Sequence, residues 1–176
     1  MNKRITCIAL FESNDLIALE KFISVVGPTN KVPFSIENRS EVDRLPRHST
    51  LIVWQNQNKE KIIKLMKSLS VKPMELEVTA ISLKKSLDKS YNLFFEVKWD
   101  DNLKKLKQEI YHQLPSEKYH PDQYQTHITI HTDDDYVKIM TMKKRLEINF
   151  RPFKLKVSEI GIFDIYPTNE LYRIII

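Results

Sequence analysis

Apolar and polar positions change period along the chain, and the changes mark out its elements. Ile5 to Phe11 is a short unbroken apolar run, the mark of a buried strand, and Leu16, Leu19, Ile23 and Val26 then recur at helical spacing behind a cap at Ser13 or Asn14. Gly27-Pro28 stops that helix. Thr29 to Pro46 is a long mixed connection with room for a short strand at Val32 to Ile36. Thr50 to Trp54 predicts a strand, and Asn58 opens a helix with Ile62, Met66 and Leu69 on one side, ended before Pro73. Met74 to Lys84 alternates as a strand does, and Tyr91 to Trp99 predicts another. Asp100-Asp101 caps a helix with Leu103, Leu106, Ile110 and Leu114 in register, closed by Pro115. Ser116 to Gln125 is a polar and aromatic loop, followed by a strand over Thr126 to Thr132. Asp133 to Asp135 caps a fourth helix, and Phe153 to Tyr166 and Leu171 to Ile176 close the chain as strands.

The order strand, helix, strand, helix, strand thus occurs twice, which calls for a test of internal repetition. His48-Ser49-Thr50-Leu51 and His127-Ile128-Thr129-Ile130 stand 79 residues apart. The same offset lays Leu76, Val78, Thr79, Ile81 and Leu83 on Leu155, Val157, Ser158, Ile160 and Ile162 without a gap. Further matches are Leu93-Phe94 on Leu171-Tyr172 at an offset of 78, and Asp15-Leu16 on Asn102-Leu103 at 87. The expected fold class is α/β (α+β): a duplicated β-α-β-α-β unit with pseudo-twofold symmetry. One domain spans 1–176, with halves of about 1–88 and 89–176.

Composition narrows the chemistry. At 176 residues, 41% hydrophobic and 29% charged, the chain can build a real core and is not disordered. No apolar run approaches the roughly 20 residues of a membrane span. The start Met1-Asn2-Lys3-Arg4 leads into too short an apolar run for a secretory signal, so a cytoplasmic protein without a membrane partner is expected, and a monomer. The single cysteine, Cys7, rules out an intrachain disulfide and a cysteine metal cage. Only two glycines occur, Gly27 and Gly161, whereas a P-loop or a dinucleotide-binding turn needs several in a cluster. Any phosphate chemistry must therefore use side chains. A net charge of +5 favours anionic ligands without demanding them, and lysines that merely solubilise helix faces are the commoner explanation.

Each half carries one His-x-Thr on a strand, and residues i and i+2 of a strand share a face about 6.5–7 Å apart. If the pseudo-twofold axis sets the two strands side by side, His48, Thr50, His127 and Thr129 line one cleft. In-line displacement at phosphorus needs a base on one side and an acid on the other. Two imidazoles with ordinary pKa values near 6.5 supply both without a metal or other cofactor. The two threonine hydroxyls offer fixed donors to the non-bridging oxygens.

On these residues the chain resembles the two-histidine phosphoesterase superfamily, which includes 2′,5′ RNA ligases and cyclic nucleotide phosphodiesterases. The resemblance rests on His48-Ser49-Thr50-Leu51 after Leu45-Pro46-Arg47, on His127-Ile128-Thr129-Ile130, and on the strands that follow each. It implies a bilobal fold with two antiparallel-rich sheets around a central cleft. His48 and His127 would be the catalytic pair, and Thr50 and Thr129 the phosphate binders. The implied activity is metal-independent opening of a 2′,3′-cyclic phosphate, or cleavage and joining of 2′,5′ linkages, with a nucleotide or RNA end as substrate. His131-Thr132-Asp133 follows the second motif here, where members known for RNA joining often carry glycine or arginine.

Other residues are weighed against plainer roles. His131 shares a face with His127 and Thr129 on a regular strand and is a candidate substrate contact. Trp54 shares a face with His48 and offers a stacking surface, or else belongs to the core. Lys118, Tyr119, His120 and Tyr124 crowd the loop before the second motif, where Tyr124 is a candidate contact. His112 belongs to an exposed helix end, and Arg47 points away from His48. Lys59, Lys61, Lys64, Lys67 and Lys72, with Lys143, Lys144 and Arg145, form a candidate basic rim for RNA or an ordinary solvated face. Two rival functions remain: an RNA-end binding or regulatory protein with little turnover, and a metal-dependent hydrolase built on His127, His131 and Asp133 or Asp134.

Overall fold

The computed structural model describes residues 4–29, 45–86, 90–116, 126–165 and 168–176. The strand expected at Val32 to Ile36 lies outside them. Seven strands are present among these residues: β1 (Arg4–Phe11), β2 (His48–Gln55), β3 (Met74–Lys85), β4 (Tyr91–Trp99), β5 (His127–Asp133), β6 (Phe153–Ile165) and β7 (Thr168–Ile175). Four α-helices join them: α1 (Ser13–Ile23), extended by a 3-10 turn over Ser24–Val26, α2 (Lys59–Ser68), α3 (Asp101–Gln113) and α4 (Tyr136–Asn149). Among the described residues no helix is long and apolar enough to cross a membrane.

Local chemistry explains the helix starts. Asn58 accepts from the Lys61 amide, Asp100 from that of Leu103 and Asp135 from that of Lys138, each satisfying an orphan first-turn donor. The first helix departs from expectation: Glu12, not Ser13 or Asn14, is its N-cap, and it makes no side-chain capping bond.

All seven strands belong to one antiparallel sheet of order β2-β1-β6-β3-β4-β5, with β7 paired to β6 off this path. The two sheets expected are therefore one. Its halves join where β3 runs antiparallel to β6 from Met74↔Val157 to Val78↔Phe153, and they part beyond that junction, where β6 pairs with β7 and β3 with β4 alone. The order maps onto itself when β2, β1 and β6 are exchanged with β5, β4 and β3. Leu76 pairs with Leu155, its own counterpart at an offset of 79, so the exchange axis passes through that pair. The match of Leu93-Phe94 to Leu171-Tyr172 does not hold, because β4 takes the place of β1 in the sheet. It rested on a pair of residues too short to identify a strand.

Two irregularities repeat at the same offset. The register skips Leu51 in β2 and Ile130 in β5, and it skips Thr79 in β3 and Ser158 in β6. Each is a β-bulge, an extra residue that reverses the inward and outward alternation beyond it.

The helices cover one face of the sheet. Strand residues Cys7, Ile52, Trp54, Leu76, Phe95 and Ile162 there join Leu19, Ile62, Leu103, Ile139 and Leu146 from the helices in the main core. A smaller apolar cluster, Ile8, Leu10, Leu45 and Phe163, lies on the other face. Gly161 leaves room there for the Phe163 ring, which a Cβ would force to shift.

Candidate active site

Both His-x-Thr elements open the outermost strands of the path, His48 at the start of β2 and His127 at the start of β5. These edges stand at opposite ends of the strand order, yet β2 and β5 are in contact, so the sheet curls until its margins meet. His48, Thr50, His127 and Thr129 are all half-buried. Opposed cross-strand residues project from the same face. His48 is opposite Leu10 and Thr50 opposite Ile8, and both pairs lie on the face away from the helices. His127 is opposite Glu96 and Thr129 opposite Phe94, on the corresponding face of the other half.

The two imidazoles have different surroundings. His48 Nδ1 lies 2.8 Å from the Pro46 carbonyl oxygen. A carbonyl only accepts, so Nδ1 carries the hydrogen, and in the neutral ring Nε2 is the acceptor nitrogen. His127 instead packs its ring against Phe94, with centroids 5.1 Å apart at 57°. Glu96, its cross-strand partner, accepts from the Ser82 hydroxyl. The acidic neighbour of His127 corresponds to Leu10 beside His48.

Arg47 links the motifs. Its side chain is buried, and Nη1 donates to the carbonyl oxygens of Thr129 at 2.5 Å and Ile130 at 2.8 Å. Nη2 donates to Thr29 Oγ1 at 2.6 Å, and Nε lies 3.1 Å from Glu20 Oε1. The residue beside the first histidine thus grips the backbone of the second motif. Arg47 does face away from the cleft, as alternation suggested, but what it meets there is the other half of the site.

His131 is not a substrate contact. The bulge at Ile130 turns it opposite Leu93 toward the helices, where it is 0% exposed and its Nε2 lies 3.0 Å from Asp133 Oδ2. Trp54 is likewise core: the bulge at Leu51 sets it opposite Ile5, 1% exposed, with Nε1 donating to the Leu114 carbonyl at 2.9 Å. Tyr124 lies outside the described residues, as do Lys118, Tyr119 and His120. His112 is exposed in the last turn of α3.

A metal centre on His127, His131 and Asp133 is not assembled, because His127 lies on one face and the other two on the opposite one. Asp133 instead accepts from Lys138 Nζ at 2.5 Å and from the Asp135 amide at 3.1 Å. Burial pushes the Asp133 carboxyl up, but Lys138, the Asp135 amide and His131 together outweigh it and hold the group well below the usual carboxylate range. The lysines of α2 and α4 sit on helices that cover the core face, so they do not line the cleft. Lys59 is paired with Asp164 and Lys143 with Glu147.

Sequence reasoning missed Glu96, Phe94 and Ser82, since cross-strand register is not written in any local pattern. Arg47 was visible beside His48, but not its reach.

No family model matches the chain, and no curated protein matches it. Solved structures do. The chain is similar to E. coli LigT in its apo form, at 14% identity over 99% of this chain and 97% of that one, with a TM-score of 0.60. It is similar to a phosphoesterase at 15% identity over 100% and 99%, TM-score 0.58. It is also similar to E. coli LigT complexed with 3′-AMP at 12% identity over 99% and 98%, TM-score 0.57. The likeness is one of fold, a mixed α/β architecture shared along the whole length.

Proposed function

We propose that the chain is a metal-independent phosphoesterase of the two-histidine type, acting on 2′,3′-cyclic phosphate or 2′,5′-linked nucleotide or RNA ends by general acid/base catalysis. One observation carries this reading: two His-x-Thr elements, each followed by the same bulge, open the two sheet margins that meet. A His and a Thr from each side suit a tetrahedral phosphate approached from opposite directions. In hydrolysis of a cyclic phosphate, one imidazole takes a proton from water as its oxygen bonds to phosphorus. The bond to the 3′ oxygen breaks, and the other, protonated, imidazole returns a proton to that oxygen, leaving a 2′-phosphomonoester. Thr50 and Thr129 donate to the non-bridging oxygens as charge gathers there. LigT, with the similar fold, has been solved with 3′-AMP and with phosphate, ligands of the class this cleft would take.

The test is turnover of 2′,3′-cyclic nucleotides by wild type, His48→Ala and His127→Ala, with and without EDTA. Wild type is expected to act in EDTA with a bell-shaped pH profile, and each alanine to lose at least about a hundredfold. Loss of wild-type activity in EDTA, or a fully active His48→Ala, would overturn the reading.

A further inference from the structure

We propose that Arg47 is a positioning residue for the histidine pair, setting the separation and register of the two motif strands so that both imidazoles address one phosphorus atom. The inference rests on the phosphoesterase reading and adds a residue outside its machinery. Strand β5 is a margin of the sheet, and its bulge at Ile130 interrupts the ladder on its paired side. Backbone carbonyls in such a place need a partner. A planar guanidinium can meet two carbonyls with one nitrogen and keep its other nitrogens for Thr29 and Glu20, which a single ammonium cannot do.

The grip transmits directly to the chemistry, because Arg47 is covalently next to His48 and the preceding Pro46 carbonyl holds the His48 ring. Motion of Arg47 relative to β5 is motion of one imidazole relative to the other. The link has no mirror image. The counterpart of Arg47 at an offset of 79 is Thr126, whose hydroxyl donates at 3.3 Å to Val97 within its own half. Arg47 therefore spans the two motifs from one side, by a link that Thr126 does not repeat from the other. A misplacement of about 1 Å costs on the order of a hundredfold in rate.

The experiment compares full-length wild type, Arg47→Ala and Arg47→Lys, each shown to be folded by a cooperative thermal melt. Turnover of a 2′,3′-cyclic nucleotide gives kcat and KM, and titration with inorganic phosphate is followed on the imidazole NMR signals. The expected result is a fall of about a hundredfold in kcat for Arg47→Ala, a KM within a few-fold, and no recovery in Arg47→Lys. Phosphate should move the His48 and His127 signals together in wild type and not in concert in the variants. Lysine serves as the second variant should alanine fail to fold. A folded variant with wild-type kcat, or concerted phosphate shifts in Arg47→Lys, overturns the positioning role. Concerted shifts in a wild type without turnover, lost in the variants, would sink the reaction and leave the positioning role standing.

Discussion

Replacing Asp133 by Asn separates the buried face of β5 from the face that carries His127 and Thr129. The wild-type carboxylate is 6% exposed and accepts from Lys138 Nζ at 2.5 Å, His131 Nε2 at 3.0 Å and the Asp135 amide at 3.1 Å. Asparagine keeps the shape but removes the charge and turns an NH2 group toward donors. A hydrogen bond to a charged group contributes about 1.5–3 kcal/mol. The Lys138 bond is discounted because that side chain is 53% exposed. The remaining two put the loss at about 3–6 kcal/mol, or about 6–24 °C in Tm for a chain of this size. The native carboxyl titrates below its unfolded value. Its stabilisation is thus fully present above about pH 5 and fades as the pH falls through the ordinary value of about 3.9 toward the native one. Thermal and urea melts between pH 2 and 7.5 should show a wide gap between wild type and variant at neutrality that closes in acid. Turnover by the folded variant should match wild type, since His131 and Asp133 face the helices. A variant within about 0.5 kcal/mol of wild type at pH 7, or a gap unchanged at pH 2, would refute the assignment.

Thr50→Ala and Thr129→Ala should each lower kcat by about 10- to 100-fold, measured at saturating cyclic nucleotide, and comparable KM losses with kcat intact would remove them from transition-state stabilisation. Trp54→Phe should cost about 1 kcal/mol or more through the lost bond to Leu114, with kcat/KM unchanged in the folded protein; a selective rise in KM would return Trp54 to the cleft. Cys7 is 0% exposed and burial pushes its thiol up, so a thiol reagent should label it only on unfolding, and rapid native labelling would contradict its place in β1.

Much of this protein is legible without coordinates. Apolar period locates the strands and helices within a few residues, because β1 buries one continuous run and α2 and α3 bury one stripe each. The 79-residue offset exposes the repeat and pairs His48 with His127 among the five histidines, and Thr50 with Thr129, as the candidate site. These are local or self-comparing properties, which a single chain carries on its face.

Only the tertiary structure decides which way His131 and Trp54 point. Alternation counted from His127 or His48 holds on a regular strand, but the extra residues Ile130 and Leu51 reverse it. A bulge is a relation between two paired strands, and the partners β4 and β1 lie tens of residues away. The same holds for the single sheet, for Glu96 beside His127, and for the hold of Arg47 on β5. Each depends on where two margins of a curled sheet come to rest, which is settled by the packing of the whole core.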